Sequence, residues 1–166
     1  DSHYTQLFHL KKTYQPLESD RTYELLSYEI DEEISEYLLQ PGLTQDELRS
    51  YFQLEQFFPG CLIDDFVFEP CGYSVNAIRD SDYLTIHVTP QPSHSYVSVE
   101  SNLPIQQWMN IVLTILQPRT FDIVAYQLQS NQELEANIPN LYQARCKEVH
   151  HLKCGYTVHF YHWEQK

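Results

Sequence analysis

The stretch that decides the fold is residues 66–102, which read FVFEPCGYSVNAIRDSDYLTIHVTPQPSHSYVSVESN. Within it, segment 83–89 alternates polar or aromatic side chains with aliphatic ones, which is the period of a strand buried on one face. Segment 94–100 alternates in the same way. The Pro-bounded residues 90–93 between them predict a tight turn, so the two segments are expected to form an antiparallel hairpin.

This hairpin is expected to have one aliphatic face and one polar face. Pairing from the predicted turn outward fixes which residues lie opposite one another. The expected pairs are Thr89 with His94, His87 with Tyr96, and Thr85 with Ser98. Glu100 then shares the polar face with His87.

Helical patterns lie on both sides of the hairpin. Apolar residues at helical spacing predict a helix that begins at an N-cap Asp20 and ends before Pro41. Thr44 and Glu47 have the spacing of a capping box, which predicts a second helix through about Tyr51. Pro104 fits the first turn of a third helix, whose apolar stripe is Ile105, Trp108, Met109, Val112, Ile115 and Leu116.

Further alternating segments predict strands at residues 4–10, 62–68, 121–128 and 155–163, with a loop at 129–139. Short links between several strands favour an antiparallel sheet. The expected fold class is therefore α+β, a mostly antiparallel sheet with helices on one face, formed by residues 1–166 as a single domain.

The polar face of the sheet needs a cover. Two amphipathic helices can shield one sheet face only, so the face with His87, Tyr96 and Glu100 must pack against something else. The cover could be another chain, a removed segment or a second copy of this chain.

Charge limits the classes of partner. The 166 residues carry 10 basic and 23 acidic side chains, a net charge of −13. Nucleic acid and anionic membranes are therefore excluded as expected partners, whereas small cations and basic proteins fit. No apolar run reaches the length of a membrane span, and no signal peptide is evident, so we expect a cytoplasmic protein.

Four cysteines are present, at positions 61, 71, 146 and 154. A domain of this size does not need disulfides, so reduced thiols are expected. Cys146 and Cys154 lie among several histidines, but their spacing matches no common zinc site. No metal site is predicted.

Four motifs carry a family resemblance: DRTYELLSYEID, PGLTQDELRSYF, FEPCGYSVN and TIHVTPQPSHSYVSVESN. Together they resemble the eukaryotic S-adenosylmethionine decarboxylases, pyruvoyl enzymes of polyamine synthesis, over nearly the whole chain. The resemblance is to the C-terminal half of such an enzyme. It implies one half of an α/β/β/α sandwich, and it implies that the serine that self-cleavage converts to the pyruvoyl group lies in the other half.

The resemblance also implies roles for four residues. Ser74 matches the serine that assists self-processing, and His87 matches the base that removes the α-proton of that serine, a role that suits imidazole. Phe68 matches the aromatic ring that stacks on the substrate adenine. Gln91 stands where the family motif TPEP has a glutamate that binds the ribose hydroxyls, so nucleoside binding should be weaker. Each of three residues also has a purely structural alternative. His87 could be a hydrogen-bonded histidine on a polar sheet face, Ser74 a hydroxyl in a turn, and Phe68 an aromatic side chain that fills the core.

Four more residues match the site where putrescine activates some family members: Asp20, Thr22, Glu24 and Glu100. Clustered carboxylates inside a fold need a counter-charge, which a diamine would supply. For Asp20 and Glu24 the alternative is a helix N-terminus, where acidic side chains are favourable.

Three functions remain open on the sequence. The first is part of an S-adenosylmethionine decarboxylase, with S-adenosylmethionine, putrescine and a complementary N-terminal half or homologous subunit as partners. In this case the pyruvoyl group belongs to the missing half, and this chain is inactive alone. The second is a noncatalytic, decarboxylase-like regulatory subunit. The third is a binding module without a polyamine connection.

Overall fold

A computed structural model of the chain describes residues 19–127, 132–135 and 137–166, with three isolated positions, 8, 15 and 17. The described strands form one eight-stranded sheet in the order β2-β3-β4-β5-β1-β6-β8-β7, and every neighbouring pair is antiparallel. The strands are β1 Arg21–Tyr28, β2 Leu62–Val67, β3 Tyr73–Arg79, β4 Asp82–Thr89, β5 Tyr96–Ser101, β6 Thr120–Gln127, β7 Tyr142–His151 and β8 Thr157–Gln165.

The helices are short. They are α1 Glu32–Leu38, α2 Gln45–Tyr51, α3 Leu54–Phe57 and α4 Met109–Leu116, with 3₁₀ turns at Ile105–Gln107 and Gln132–Glu135. Their buried side chains join one core with the inward residues of the strands. We call the sheet surface under the helices the helix face and the opposite surface the open face. The expected α+β class with a mostly antiparallel sheet is confirmed.

The predicted helix from Asp20 is wrong over its first part, because residues 21–28 are β1. Tyr23, Leu25 and Ser27 are buried and alternate with less buried neighbours, as in a strand at the centre of a sheet. Helix α1 begins later, with Asp31 as its N-cap, whose carboxylate accepts hydrogen bonds from the backbone N–H groups of Glu33 and Ile34. Tertiary pairing has outweighed a helical spacing that the segment also satisfies.

The capping box at Thr44 and Glu47 is confirmed. The Thr44 hydroxyl accepts from the Glu47 N–H, and the Glu47 carboxylate accepts from the Thr44 N–H at 2.8 Å. Helix α2 runs from there to Tyr51, as expected.

The hairpin of β4 and β5 is confirmed, but its predicted register is wrong. Thr89 pairs with Tyr96, His87 with Ser98 and Thr85 with Glu100. The connection is longer than the expected turn because the Ser95 hydroxyl accepts from the Gln91 N–H and donates to the Gln91 carbonyl, closing a loop over residues 90–95. A shift of two residues leaves every side chain on its expected face.

The helix after Pro104 is a 3₁₀ turn followed by α4, and its apolar stripe is buried except for the partly exposed Ile115. Strand β7 was not predicted, because its pattern is largely exposed, as an edge strand allows. The strand expected at residues 4–10 lies outside the described residues apart from the isolated position 8.

A buried ion pair joins α2 to the strands of the site. Arg49 donates two hydrogen bonds to Asp65, at 2.7 and 2.6 Å, and the Tyr73 hydroxyl donates to Asp65 at 2.7 Å. Arg49 holds the pKa of the Asp65 carboxyl below its usual range. The start of β3 is thereby fixed against the helix layer.

Within the described ranges, no helix is long and apolar enough to cross a membrane.

Candidate functional site

The first part of the site is a cross-strand pair, Ser74 on β3 and His87 on β4. The Ser74 Oγ lies 3.0 Å from the His87 Nδ1. Both side chains belong to the open face, away from the helices, because their neighbours Tyr73, Val75, Ile86 and Val88 are buried in the core. The contact orients the imidazole, and its other nitrogen lies on the far side of the ring.

Phe68 borders the same place. A cavity of about 370 Å³ has Phe68, Cys71, Ser74, His87 and Thr89 among its lining residues. The Phe68 side chain is 47% exposed, and its ring meets Phe66 edge-on with centroids 4.9 Å apart. An exposed, fixed aromatic ring suits the stacking of a flat base. The structure thus brings three sequence-selected residues together.

The turn that places Phe68 depends on Gly72. Gly72 has a φ of +120°, and its carbonyl accepts a hydrogen bond from the Phe68 N–H at 2.9 Å. A Cβ at this position would lie 3.6 Å from the Phe68 Cβ, and the φ itself would strain any side chain. Glycine is therefore needed beside the aromatic ring.

Gln91 lies in the β4–β5 loop, two residues after Thr89, with its side chain exposed. Its backbone is held at both ends by Ser95. The structure therefore fixes the position of the loop while leaving the Gln91 amide on the surface.

The second part of the site is acidic. Glu24 on β1 is the direct partner of Glu100 on β5. Burial and the neighbouring Glu100 raise the pKa of the Glu24 carboxyl. The Tyr83 hydroxyl donates to Glu100 at 2.7 Å and lies 3.3 Å from the Thr22 Oγ1. Burial, opposed in part by Thr22, raises the pKa of Tyr83 to about 12, so it remains a hydrogen-bond donor.

Asp20 precedes β1 and makes contacts with other residues. Its carboxylate accepts from the Tyr156 hydroxyl at 3.2 Å and from the Leu17 N–H at 2.9 Å. A cavity of about 540 Å³ has Asp20, Arg21, Thr22 and Tyr83 among its lining residues. Glu24 and Glu100 do not line it, and Tyr83, which donates to Glu100, links the cavity to that pair. The alternative of a helix N-terminus for Asp20 and Glu24 is wrong, because β1 occupies this segment.

Sequence reasoning gave no site role to Tyr83 or Tyr156. Tyr83 could have been found from the alternation of β4, which puts it on the face of His87. Tyr156 gives no sequence signal, because it is 136 residues from Asp20 along the chain. Tyr126 lines the 540 Å³ cavity beside Asp20 and Tyr156, and it is paired with Thr22 across β1 and β6.

A further polar group crosses β1, β6 and β8 on the open face. Asp122 accepts from the Tyr28 hydroxyl at 3.2 Å and lies 2.6 Å from the His162 Nδ1. The four cysteines are unpaired thiols, as expected. Within the part of the chain that the structure describes, no three His, Cys, Asp or Glu side chains are grouped to hold a metal.

The chain is similar to proteins of one family. The model of the family "Adenosylmethionine decarboxylase" matches residues 2–164. The S-adenosylmethionine decarboxylase proenzyme of Dictyostelium discoideum is 28% identical over 157 residues, which are 89% of this chain and 41% of that protein. The proenzyme of Xenopus laevis is 31% identical over 137 residues, which are 80% of this chain and 41% of that protein.

The fold is similar as well. A crystal structure of the Trypanosoma brucei AdoMetDC-delta26 monomer superposes with a TM-score of 0.76 at 25% identity, and the match covers 90% of this chain and 67% of that one. This chain spans about 41% of the length of the two proenzymes above. On the family match over residues 2–164, the chain belongs to the adenosylmethionine decarboxylase family.

Proposed function

We propose that this chain is the C-terminal part of an S-adenosylmethionine decarboxylase that makes the aminopropyl donor for spermidine and spermine. The observation that carries the proposal is the shared cavity in which Phe68 lies beside the hydrogen-bonded Ser74 and His87. The three residues come from one turn and two neighbouring strands, so they form a preorganised unit. Residues 1–166 act in this proposal as one domain.

In the proposed reaction, Phe68 stacks on the adenine of S-adenosylmethionine, and Thr89 leads into the loop whose Gln91 faces the ribose. A pyruvoyl group would supply a carbonyl able to accept the electron pair that stays behind when carbon dioxide leaves, and Ser74, His87 and Phe68 are the residues of this chain that would border it. The residues present fit such a group, because Ser74 and His87 lie on the open face, where a covering sheet would meet them.

His87 acts in processing as the base, and Ser74 orients its imidazole through Nδ1. A general base needs a fixed ring with a nitrogen available for the proton, and the contact between Ser74 Oγ and Nδ1 holds the imidazole while leaving its other nitrogen for that task. In this proposal the autocatalytic cleavage occurs outside residues 1–166, so catalysis requires the part of the family's proteins that these residues do not match.

The acidic part of the site is proposed to bind putrescine. Glu24 and Glu100 face each other, and burial together with the neighbouring Glu100 charge raises the pKa of the Glu24 carboxyl. One ammonium group of a diamine would pair with these carboxylates, and Asp20, which lines the same cavity as Tyr83, would accept the other. Thr22 and Tyr83 would hold the ligand between them.

The test is to co-express this chain with the part of the Dictyostelium discoideum proenzyme that it does not match, and to measure carbon dioxide release from S-adenosylmethionine. We expect activity in the complex and none in this chain alone. His87→Ala and Ser74→Ala should block formation of the borohydride-reducible carbonyl, whereas His94→Ala, in an exposed loop, should not. A complex that processes normally with both variants would refute the assigned roles.

A second function is favoured by Gln91. An amide in place of the family glutamate presents a donor where two hydroxyl donors must be accepted, which is consistent with a noncatalytic regulatory subunit, a pseudoenzyme. This candidate predicts that the complex forms and binds putrescine while nucleoside binding to this chain is undetectable. Calorimetry with S-adenosylmethionine separates the two functions.

A further inference from the structure

The loop between β4 and β5 is attached to α1 by two buried serine hydroxyls. Ser95 in the loop is 2% exposed, and Ser35 on α1 is 4% exposed. The Ser35 hydroxyl donates to the Ser95 Oγ at 2.9 Å. The Ser95 hydroxyl donates to the Gln91 carbonyl at 2.7 Å and accepts from the Gln91 N–H at 2.8 Å. We call this chain of hydrogen bonds, from Ser35 through Ser95 to the Gln91 backbone, the serine relay.

The direction of the serine relay follows from the atoms on which it ends. A hydroxyl has one hydrogen and two lone pairs, and a carbonyl oxygen can only accept. The contact with the Gln91 carbonyl therefore uses the hydrogen of Ser95, so Ser95 must accept from Ser35. Its second lone pair accepts from the Gln91 N–H, and every hydrogen-bonding position of this buried hydroxyl is then filled.

The helix end of the serine relay is firmly held. The Ser35 N–H donates to the Asp31 carbonyl at 2.8 Å, and the Ser35 carbonyl accepts from the Leu39 N–H at 3.0 Å. Leu38 on the same helix is buried in the core. Residues 91–94, at the other end of the relay, are exposed. Helix α1 is therefore the support from which the exposed part of the loop is held.

The direction of the Gln91 side chain depends on this support. Ser95 binds both the N–H and the carbonyl of Gln91, so it fixes the peptide planes on either side of the Gln91 Cα. These two planes determine where the Cα–Cβ bond points. A rotation of either plane would swing the terminal amide of Gln91 away from its present position, although the strands around the loop stayed paired.

We infer that Ser35 and Ser95 are positioning residues for ribose recognition and that both act through Gln91. This inference rests on the proposed function, in which Gln91 meets the ribose, and it extends the determinants of that contact to α1 on the helix face. Loss of either hydroxyl should weaken recognition of the ribose hydroxyls and leave adenine stacking on Phe68 unchanged. Ser95 should have the larger effect, because it contacts Gln91 directly.

The experiment uses the co-expressed complex of the decarboxylation test, with adenosine and 2′,3′-dideoxyadenosine as calorimetric probes. The wild type should prefer adenosine about fivefold, which corresponds to one hydrogen bond. Ser95→Ala should lower this preference to the value of Gln91→Ala. The double variant should show no further loss, because both changes remove the same interaction. Ser35→Ala, which keeps both bonds between Ser95 and Gln91, should lower the preference about twofold.

A second measurement needs no ligand. Hydrogen exchange of the Gln91 amide should be about fivefold faster in Ser95→Ala and about twofold faster in Ser35→Ala. Ser27→Ala is the matched control. Ser27 on β1 is 0% exposed, and its Oγ has no hydrogen-bond partner in the described part of the chain. Removal of this buried hydroxyl should change neither the exchange rate nor the preference for adenosine.

Three results would overturn the inference: equal weakening of both nucleosides by Ser95→Ala, a further loss of preference in the double variant, or unchanged exchange of the Gln91 amide. A wild-type complex that binds both nucleosides equally would instead count against the proposed function. Faster exchange in the two serine variants would, in that case, still support the serine relay as the device that positions Gln91.

Discussion

Glu24 and Glu100 are direct cross-strand partners on the two central strands of the sheet, and both are only partly exposed. Like charges at opposed strand positions destabilise a sheet. A cationic ligand or a cationic partner group beside the pair would relieve this repulsion.

The stability of the unliganded chain should depend on pH through Glu24. Its pKa in the folded state is raised from 4.5 by burial and by Glu100, so the folded state binds a proton more readily than the unfolded state does. The resulting stabilisation is present below about pH 4.5 and is lost as pH rises through the folded pKa. Glu24→Gln should therefore raise the melting temperature at pH 7.5, with a smaller gain at pH 5. An equal gain at both values would contradict the assignment.

Putrescine should raise the melting temperature of the assembled protein, because a ligand that binds only the folded state stabilises it by mass action. Glu100→Gln should reduce this shift strongly, since it removes both a charge and the acceptor of the Tyr83 hydroxyl. Glu36→Gln on the exposed side of α1 is the control. Equal responses in the two variants would indicate general charge screening, and a monoamine of similar size should act more weakly than putrescine.

His159 should make stability depend on pH in the opposite direction to Glu24. It is 1% exposed, its Nε2 has no hydrogen-bond partner, and burial lowers its pKa, with His151 contributing. Because the unfolded state then binds the proton more readily, stability should fall as pH drops below about 6.5. In the His159→Leu variant, the denaturation midpoint should therefore change less between pH 7.5 and pH 5.5 than it does in the wild type. His94→Gln, in an exposed loop, should leave the wild-type pH dependence in place.

Asp65→Asn should destabilise the fold. The Asp65 side chain is 1% exposed and pairs with Arg49, so its loss leaves the guanidinium without its buried partner. We expect the free energy of unfolding to fall by about 2 kcal/mol. This is less than for a fully buried pair, because Arg49 is still partly in solvent. Asp46→Asn is matched to it: Asp46 pairs with the same Arg49 at 3.5 Å but is 94% exposed. In urea denaturation, the midpoint of the Asp46→Asn variant should stay at the wild-type value, whereas that of Asp65→Asn should fall.

Gln91→Glu should strengthen nucleoside binding in the assembled protein. A carboxylate accepts from two hydroxyls at once through charge-assisted bonds, for a gain of about 1 kcal/mol or roughly fivefold in affinity. Calorimetry with S-adenosylmethionine measures this gain. Gln40→Glu, which adds the same charge at an exposed position after α1, is the control. No difference between the two variants would mean that Gln91 lies outside the ribose site.

The sequence predicted the part of the site that is formed by residues close to one another along the chain. Alternation in 83–89 put His87 and Tyr83 on one face, and a register error of two residues did not change that, because faces repeat every second residue. The error came from Ser95, whose hydrogen bonds to Gln91 lengthen the loop in a way that composition does not reveal.

The parts that could not be predicted depend on distant pairing. Residues 21–28 satisfy both a helical and an alternating pattern, and only the flanking strands β5 and β6 decide between them. Strand β7 has too few buried residues to show a period. The contact between Tyr156 and Asp20 joins the two ends of the described chain, which no local pattern can indicate.

The position of β1 has a consequence for folding kinetics. Strands β2 to β5 follow one another as neighbours, and β6 to β8 form a second local group, whereas β1 lies between the groups and pairs with β5 and β6 far along the chain. Each group can form through short loop closures, but joining them requires closure of long loops, which is slower. Insertion of β1 is therefore expected as the late step of folding. Since that step brings Glu24 beside Glu100, a diamine should retard unfolding more than it accelerates folding.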